Sequence, residues 1–277
     1  MPELRYDVNL SILFTELPSL QRPAAAAAAG FDAVELWWPF PEPSPPDRQL
    51  DALHRALDDA GTQLVALNFD AGDMAAGDRG LLSRPGTSAR FRENIDVVVG
   101  FAAATGCTTL NALYGNREAA GGAAQRELAV ENLVLAAQAA AQVGATVVIE
   151  ALNAIENPGY PITSSDEAIQ LVDHLRFSHG MDNVAFLADL YHLARMGEPV
   201  EKLVETRSAS FGHVQLADTP GRGQPGTGDL DVPDLLERLA ASGYAGWVGL
   251  EYRPVGPSAD SFEWLPRHLR AARGRVR

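Results

Sequence analysis

The chain has 277 residues, 46% of them hydrophobic, enough for one large core and within the size of one barrel domain, so residues 1–277 are read as a single domain. A formal net charge of −14 excludes nucleic acid and anionic membranes as partners, while a small anionic substrate stays compatible because a local cation can dominate a site. The one cysteine, Cys107, excludes an intrachain disulfide and fits a reducing cytoplasm; no signal peptide is read in MPELRYDVNLS, and no run of about 18 apolar residues marks a membrane span.

Strand-like apolar runs alternate with longer helical patterns along the whole chain. Strands are expected near residues 6–12, 33–38, 63–69, 108–113, 146–150, 184–189, 211–216 and 247–251. Helices are expected near 18–29, 47–60, 87–105, 124–143, 164–176, 199–207, 232–242 and 259–272. Eight such units at a repeat of about 35 residues predict an α/β chain folded as one (β/α)8 barrel. Gly30, Gly61, Gly106, Gly144 and Gly243 each stand between an Ala-rich helix and a strand, where a terminating glycine belongs. Ser164–Glu167 and Asp231–Asp234 read as helix starts, and AAAAAAG at 24–30 reads as packed helix. Long loops at 39–49 and 70–86 follow strands 2 and 3 and are expected to cover a pocket. Lys202 is the one lysine among 22 basic residues, and it lies in a helical pattern. A Schiff-base mechanism, which needs a pocket lysine, is therefore set aside.

Four apolar runs in the second half close on a polar residue: TVVIE at Glu150, VAFLAD at Asp189, FGHVQ at Gln215 and WVGLE at Glu251. A buried carboxylate is costly unless it is paired or bound to a cation. The four positions are 39, 26 and 36 residues apart, each roughly one βα unit, and barrel strands bring their C-terminal ends to one face. All four offer oxygen donors, which suits Mg2+ or Mn2+ better than zinc. About two octahedral positions would remain for substrate or water.

Other residues gather around this set. His192, three residues past Asp189, is a substrate-binding candidate. HVQLADTPGRGQPGTGDLD (213–231) leaves strand 7 as a Gly/Pro-rich loop with Asp218 and Arg222. Arg222 is expected to hold a substrate carboxylate with its planar fork, and Arg253 is a second anion-binding candidate. Asn68, at the end of strand 3, can hydrogen-bond substrate hydroxyls. Glu35 is read as positioning a neighbour, and Trp37, Trp38 and Phe40 as pocket wall or core. His54, His174, His179 and His268 show no functional pattern.

At these residues the chain resembles the hydroxypyruvate isomerase family of the xylose-isomerase-like TIM-barrel superfamily. The resemblance runs from NLSILFTE (9–16) through AGFDAVELWWPF (29–40), AGDMAAGDRG (71–80), PGTSARFRENI (85–95), DLYHLARM (189–196) and HVQLADTPGRGQPGTGDL (213–230) to GYAGWVGLEY (243–252). It implies that Glu150, Asp189, Gln215 and Glu251 bind the metal and that Glu150 and Glu251 form an acid–base pair. The chain departs from the family where Ala-Leu-Asn follows Glu150 and Tyr-Arg-Pro-Val follows Glu251.

Residue chemistry and resemblance meet on aldose–ketose isomerisation of a small hydroxy-oxo acid or sugar through an enediolate. For hydroxypyruvate the product is tartronate semialdehyde. Three alternatives remain: a 2-oxo-tetronate isomerase, a ketose 3-epimerase of the same superfamily, and a non-catalytic sugar-binding barrel. A homo-oligomer is allowed. Metal-dependent nuclease chemistry is disfavoured, because it calls for several histidines and a basic groove.

Overall fold

TVVIE and VAFLAD are apolar along almost their whole length, so their strands need cover on both faces, which a parallel sheet wrapped in helices provides. The computed structural model describes residues 4–119 and 121–272. Eight parallel strands close in chain order: β1 (Arg5–Asn9), β2 (Ala33–Leu36), β3 (Gln63–Asn68), β4 (Thr109–Asn111), β5 (Thr146–Glu150), β6 (Val184–Asp189), β7 (Phe211–Leu216) and β8 (Trp247–Leu250). Around them lie α1 (Arg22–Ala29), α2 (Asp47–Ala60), α3 (Pro85–Thr105), α4 (Gly122–Ala141), α5 (Ser165–His179), α6 (Leu190–Arg195), α7 (Val200–Arg207) and α8 (Val232–Ala241). The expected barrel is present. Among the described residues no helix is long and apolar enough to cross a membrane.

The helix boundaries follow local chemistry. Ser164 caps α5 in a reciprocal box with Glu167, and the Asp231 side chain accepts from Asp234 N at the start of α8. Gly30, Gly61 and Gly106 cap α1, α2 and α3, while Gly144 and Gly243 stand just beyond α4 and α8. One expectation needs correction. The segment 259–272 is not an α-helix; it forms 3-10 turns at Ser258–Phe262 and Arg267–Leu269. Pro266 falls in its middle, and a proline there removes a helical donor and pushes the preceding residue out of helical geometry. The unexpected α6 starts at once from β6, because the Asp189 side chain accepts from the backbone N–H groups of Tyr191 and His192 and so caps it.

Between the barrel and its helices lies the main core, with Phe31, Phe91, Val98, Phe186 and Phe262 almost fully buried. Each such side chain contributes about 1.5–3 kcal/mol by leaving water. Ala129, Ala136, Ala137 and Ala140 let α4 approach closely.

Inside the barrel the register decides what meets. Paired residues on neighbouring strands share a face, and so do residues i and i+2. Asp7 pairs with Gly249, Asn9 with Glu35, Asn68 with Asn111, Leu187 with His213, and Asp189 with Gln215. These pairs place Asp7, Asn9, Glu35, Asn68, Asn111, Glu150, Asp189, His213 and Gln215 on the inner face. The small apolar cluster of Val148, Ala185 and Leu187 shares the same face. Gly249 completes it: a Cβ there would stand 2.7 Å from Glu35 Oε2, so the missing side chain is the space in which the Glu35 carboxylate sits.

Candidate active site

The C-terminal ends of β5, β6, β7 and β8 bring the four strand-end residues together. Glu150, Asp189, Gln215 and Glu251 are all buried. One ligand atom each from Glu150, Asp189 and His192 lie within 4.8 Å of one another. Arg222 links the other side: its Nη2 donates to Glu251 Oε1 at 2.6 Å and lies 3.6 Å from Asp189 Oδ2.

Each donor is fixed by a named neighbour. Glu150 Oε2 accepts from Asn111 Nδ2 at 2.7 Å. Asp189 spends Oδ1 on the two backbone N–H groups that start α6, and its buried Oδ2 has no hydrogen-bond partner. Gln215 Nε2 donates to Glu35 Oε1 at 2.8 Å, which leaves Gln215 Oε1 buried without a partner. Glu35 therefore positions a neighbour, as its sequence context predicts. It also accepts from Asn9 Nδ2 at 2.9 Å and contacts His213 Nε2 at 2.6 Å. Beneath lies Asp7, whose complete burial, reinforced by the Glu35 charge, holds its carboxyl well above the usual range.

Burial dominates the electrostatics of the cluster. It pushes Glu150 up to about 8, with the Asp189 charge adding to the effect and Asn111 opposing it. Burial also raises Asp189, and it holds Glu251 well above its ordinary value although Arg222 pulls the other way. Three carboxylates with one guanidinium carry a formal charge of about −2, which a single divalent cation cancels. The orphaned Asp189 Oδ2 and Gln215 Oε1 are oxygen acceptors in the middle of this set, so the residues fit a hard divalent ion.

His192 is buried, and its Nδ1 meets two N–H donors, Asn153 N at 3.1 Å and Asn153 Nδ2 at 2.7 Å. Nδ1 must therefore accept, and the proton sits on Nε2. Burial, then the charges of Arg222 and Arg79, hold this imidazole well below its ordinary value, so it is neutral.

A cavity of about 410 Å³ opens over the cluster, and Asn68, His192, Arg222 and Arg253 all line it. The loops after β2 and β3 contribute Trp37, Met74 and Arg79 to its wall. Trp38 and Phe40 pack edge to face, 5.1 Å apart, and line an adjoining cavity that shares Trp37. The Arg222 guanidinium is buried beside the carboxylates and lies over the Tyr191 ring. Its backbone φ of 57°, uncommon away from glycine, aims it there. The loop that carries it is organised by Asp218, which accepts from the backbone N–H groups of Thr219, Gly226, Gly228 and Leu230. Gly228 passes so close to the Thr219 carbonyl that no Cβ fits.

Asp7, Arg79, Asn111, Asn153 and His213 were not singled out from the sequence. His213 and Asp7 lie two residues before Gln215 and Asn9, and this period of two would have placed them on the same inner face. Asn111 ends β4 as Asn68 ends β3. Arg79 sits in a loop and carries no such signal.

A family model described as xylose isomerase-like TIM barrel matches residues 23–271. A putative hydroxypyruvate isomerase of Streptomyces coelicolor is 58% identical over 97% of this chain and 98% of its own length. A 2-oxo-tetronate isomerase of Cupriavidus necator is 35% identical over 96% of this chain and 98% of its own. The crystal structure of an AP endonuclease, family 2, from Brucella melitensis matches with a TM-score of 0.86 at 38% identity, covering 95% of this chain and 98% of that one.

Proposed function

The chain belongs to the hydroxypyruvate isomerase family of xylose isomerase-like TIM barrels, and we propose that it interconverts hydroxypyruvate and tartronate semialdehyde, with Glu150 and Glu251 as the acid–base pair. The observation that carries this reading is the meeting of Glu150, Asp189, Gln215 and Glu251 at one barrel mouth, where two acceptor oxygens, Asp189 Oδ2 and Gln215 Oε1, have no hydrogen-bond partner.

The reaction moves hydrogen between adjacent carbons. A C–H bond at C3, the hydroxymethyl carbon, breaks, and a C–H bond at C2 forms. The C3 hydroxyl loses its proton as it becomes the aldehyde, and the C2 oxygen gains one as it becomes a hydroxyl. One of Glu150 and Glu251 takes the C3 proton, and the other serves as acid or reprotonates C2. Burial raises both glutamates in the metal-free protein, a cost that a bound cation would offset. His192 directs Nε2–H at a substrate oxygen, and Asn68 and Arg253 complete the wall that orients the substrate. A divalent ion held by Glu150, Asp189, Gln215 and Glu251, Mg2+ or Mn2+ by the donor chemistry, would supply positive charge where the enediolate oxygens develop negative charge. The acidic surface disfavours a nuclease reading, since DNA would meet a chain of net charge −14. The buried, unpaired thiol suits the cytoplasm.

The test is proton NMR of hydroxypyruvate in D2O with metal-loaded protein. Appearance of the semialdehyde with deuterium at C2 is expected, and loss of turnover after chelation should be restored by Mg2+ or Mn2+. An unchanged hydroxypyruvate spectrum would refute the reading. A second substrate, 2-oxo-tetronate, is favoured by the 35% identity to the 2-oxo-tetronate isomerase of Cupriavidus necator over 96% of this chain. Comparing kcat/KM for the two acids decides between them.

A further inference from the structure

We infer that Arg79 is the residue that binds the substrate's carboxylate, an assignment that rests on the acidic-substrate reading above. An anionic substrate in an acidic protein needs a cation that is not already neutralised. Arg222 does not meet that condition: its buried Nε has no partner, but its charge is already paired with Glu251 at 2.6 Å and lies 3.6 Å from Asp189. Arg253 is solvent-exposed at the rim, where water weakens its pull.

Arg79 meets every requirement. It is half-buried in the cavity wall. The chain carries 36 acidic residues, yet among the described residues Arg79 makes no salt bridge. Neutral acceptors hold it instead. Its Nε donates to Asn157 Oδ1 at 2.5 Å, and its Nη1 donates to the carbonyls of Met74 at 3.0 Å and Asp78 at 2.7 Å. Nη2 has no protein acceptor among the described residues. A guanidinium fixed on three neutral oxygens keeps its charge unpaired and leaves Nη2 open as a charge-assisted donor, which a carboxylate can take at little ordering cost.

The anchor is continuous with the catalytic cluster. Asn157 Nδ2 donates to Asn153 O at 3.2 Å, and Asn153 in turn holds His192 Nδ1. One relay thus sets the spacing between the charged end of the substrate and its reacting carbons.

The test uses the metal-loaded protein, its Arg79→Ala and Arg79→Lys variants, and two probes. D-glycerate, an unreactive hydroxy acid, is titrated by calorimetry; hydroxypyruvate is followed by turnover. Arg79→Ala is expected to weaken glycerate and raise the hydroxypyruvate KM by about ten- to a hundredfold, the effect of one charge-assisted bond, while kcat stays within about threefold. Arg79→Lys should recover part of the loss, since it restores the charge without the three neutral anchors that place it. Glycerol, the neutral counterpart, should bind both forms equally. Equal glycerate affinity in wild type and Arg79→Ala would overturn the assignment, as would no glycerate binding by wild type. A fall in kcat with unchanged KM would overturn it too, by making Arg79 a loop support. Glycerate binding that depends on Arg79, without any hydroxypyruvate turnover, would sink the isomerase reading and leave this one standing.

Discussion

Gln215 Nε2 donates to Glu35 Oε1 at 2.8 Å, and this bond decides which end of the Gln215 amide faces the carboxylates. With the nitrogen held by Glu35, Oε1 is the end left for a cation. Partners of this kind typically change metal affinity about 10–100-fold. Glu35→Ala should weaken Mn2+ binding by that order and lower thermal stability, since it leaves buried N–H donors on Asn9 and Gln215 unpaired. Calorimetric titration with Mn2+ checks this. Unchanged affinity would mean that Gln215 is oriented without Glu35.

Glu150→Gln and Glu251→Gln keep side-chain shape and one oxygen but cannot exchange a proton. Each is expected to lower kcat by about 10²–10⁴ with the fold intact. Steady-state rates with circular dichroism on the same samples are the check. A variant that retains more than about a tenth of the rate lies below that range, and the role of its residue is then misassigned.

Arg222→Ala leaves Glu251 and Asp189 as buried carboxylates without their cation. Removing one partner of a buried pair costs about 3–5 kcal/mol, and a bound divalent ion should recover part of it. Urea unfolding with and without Mn2+ reads this directly. Turnover should fall for hydroxypyruvate and for neutral dihydroxyacetone alike, because the loss lies at Glu251. A KM increase confined to hydroxypyruvate would return the carboxylate to Arg222.

Cys107 is buried, and burial pushes its thiol up to about 12 from 9.0. At pH 8 the native protein should therefore react with a disulfide reagent only through unfolding, while the denatured chain should release one thiol equivalent. Between about pH 9 and 12 the folded thiol keeps a proton that the unfolded thiol has lost, so this group makes stability fall as pH rises through that window. Fast labelling of the native protein at pH 8 would contradict the closed packing around β4.

The barrel and the polar residues at its strand ends were legible in the sequence for one physical reason. A strand buried on both faces is apolar along its length, so a carboxylate at its end stands out, as Glu150, Asp189 and Glu251 do. Parallel closure then forces those ends together. Pro266 was equally visible and should have ruled out a helix over 259–272. The partners of the charged side chains were not legible. Arg222 reaches Glu251 because its loop is folded around Asp218 and its own backbone enters the left-handed region. Arg79 stays unneutralised because its loop meets Asn157, 78 residues away, instead of a carboxylate. Periodicity fixes direction only within a strand or helix. Which oxygen a loop arginine meets depends on contacts far apart in the chain, and only the closed barrel decides them.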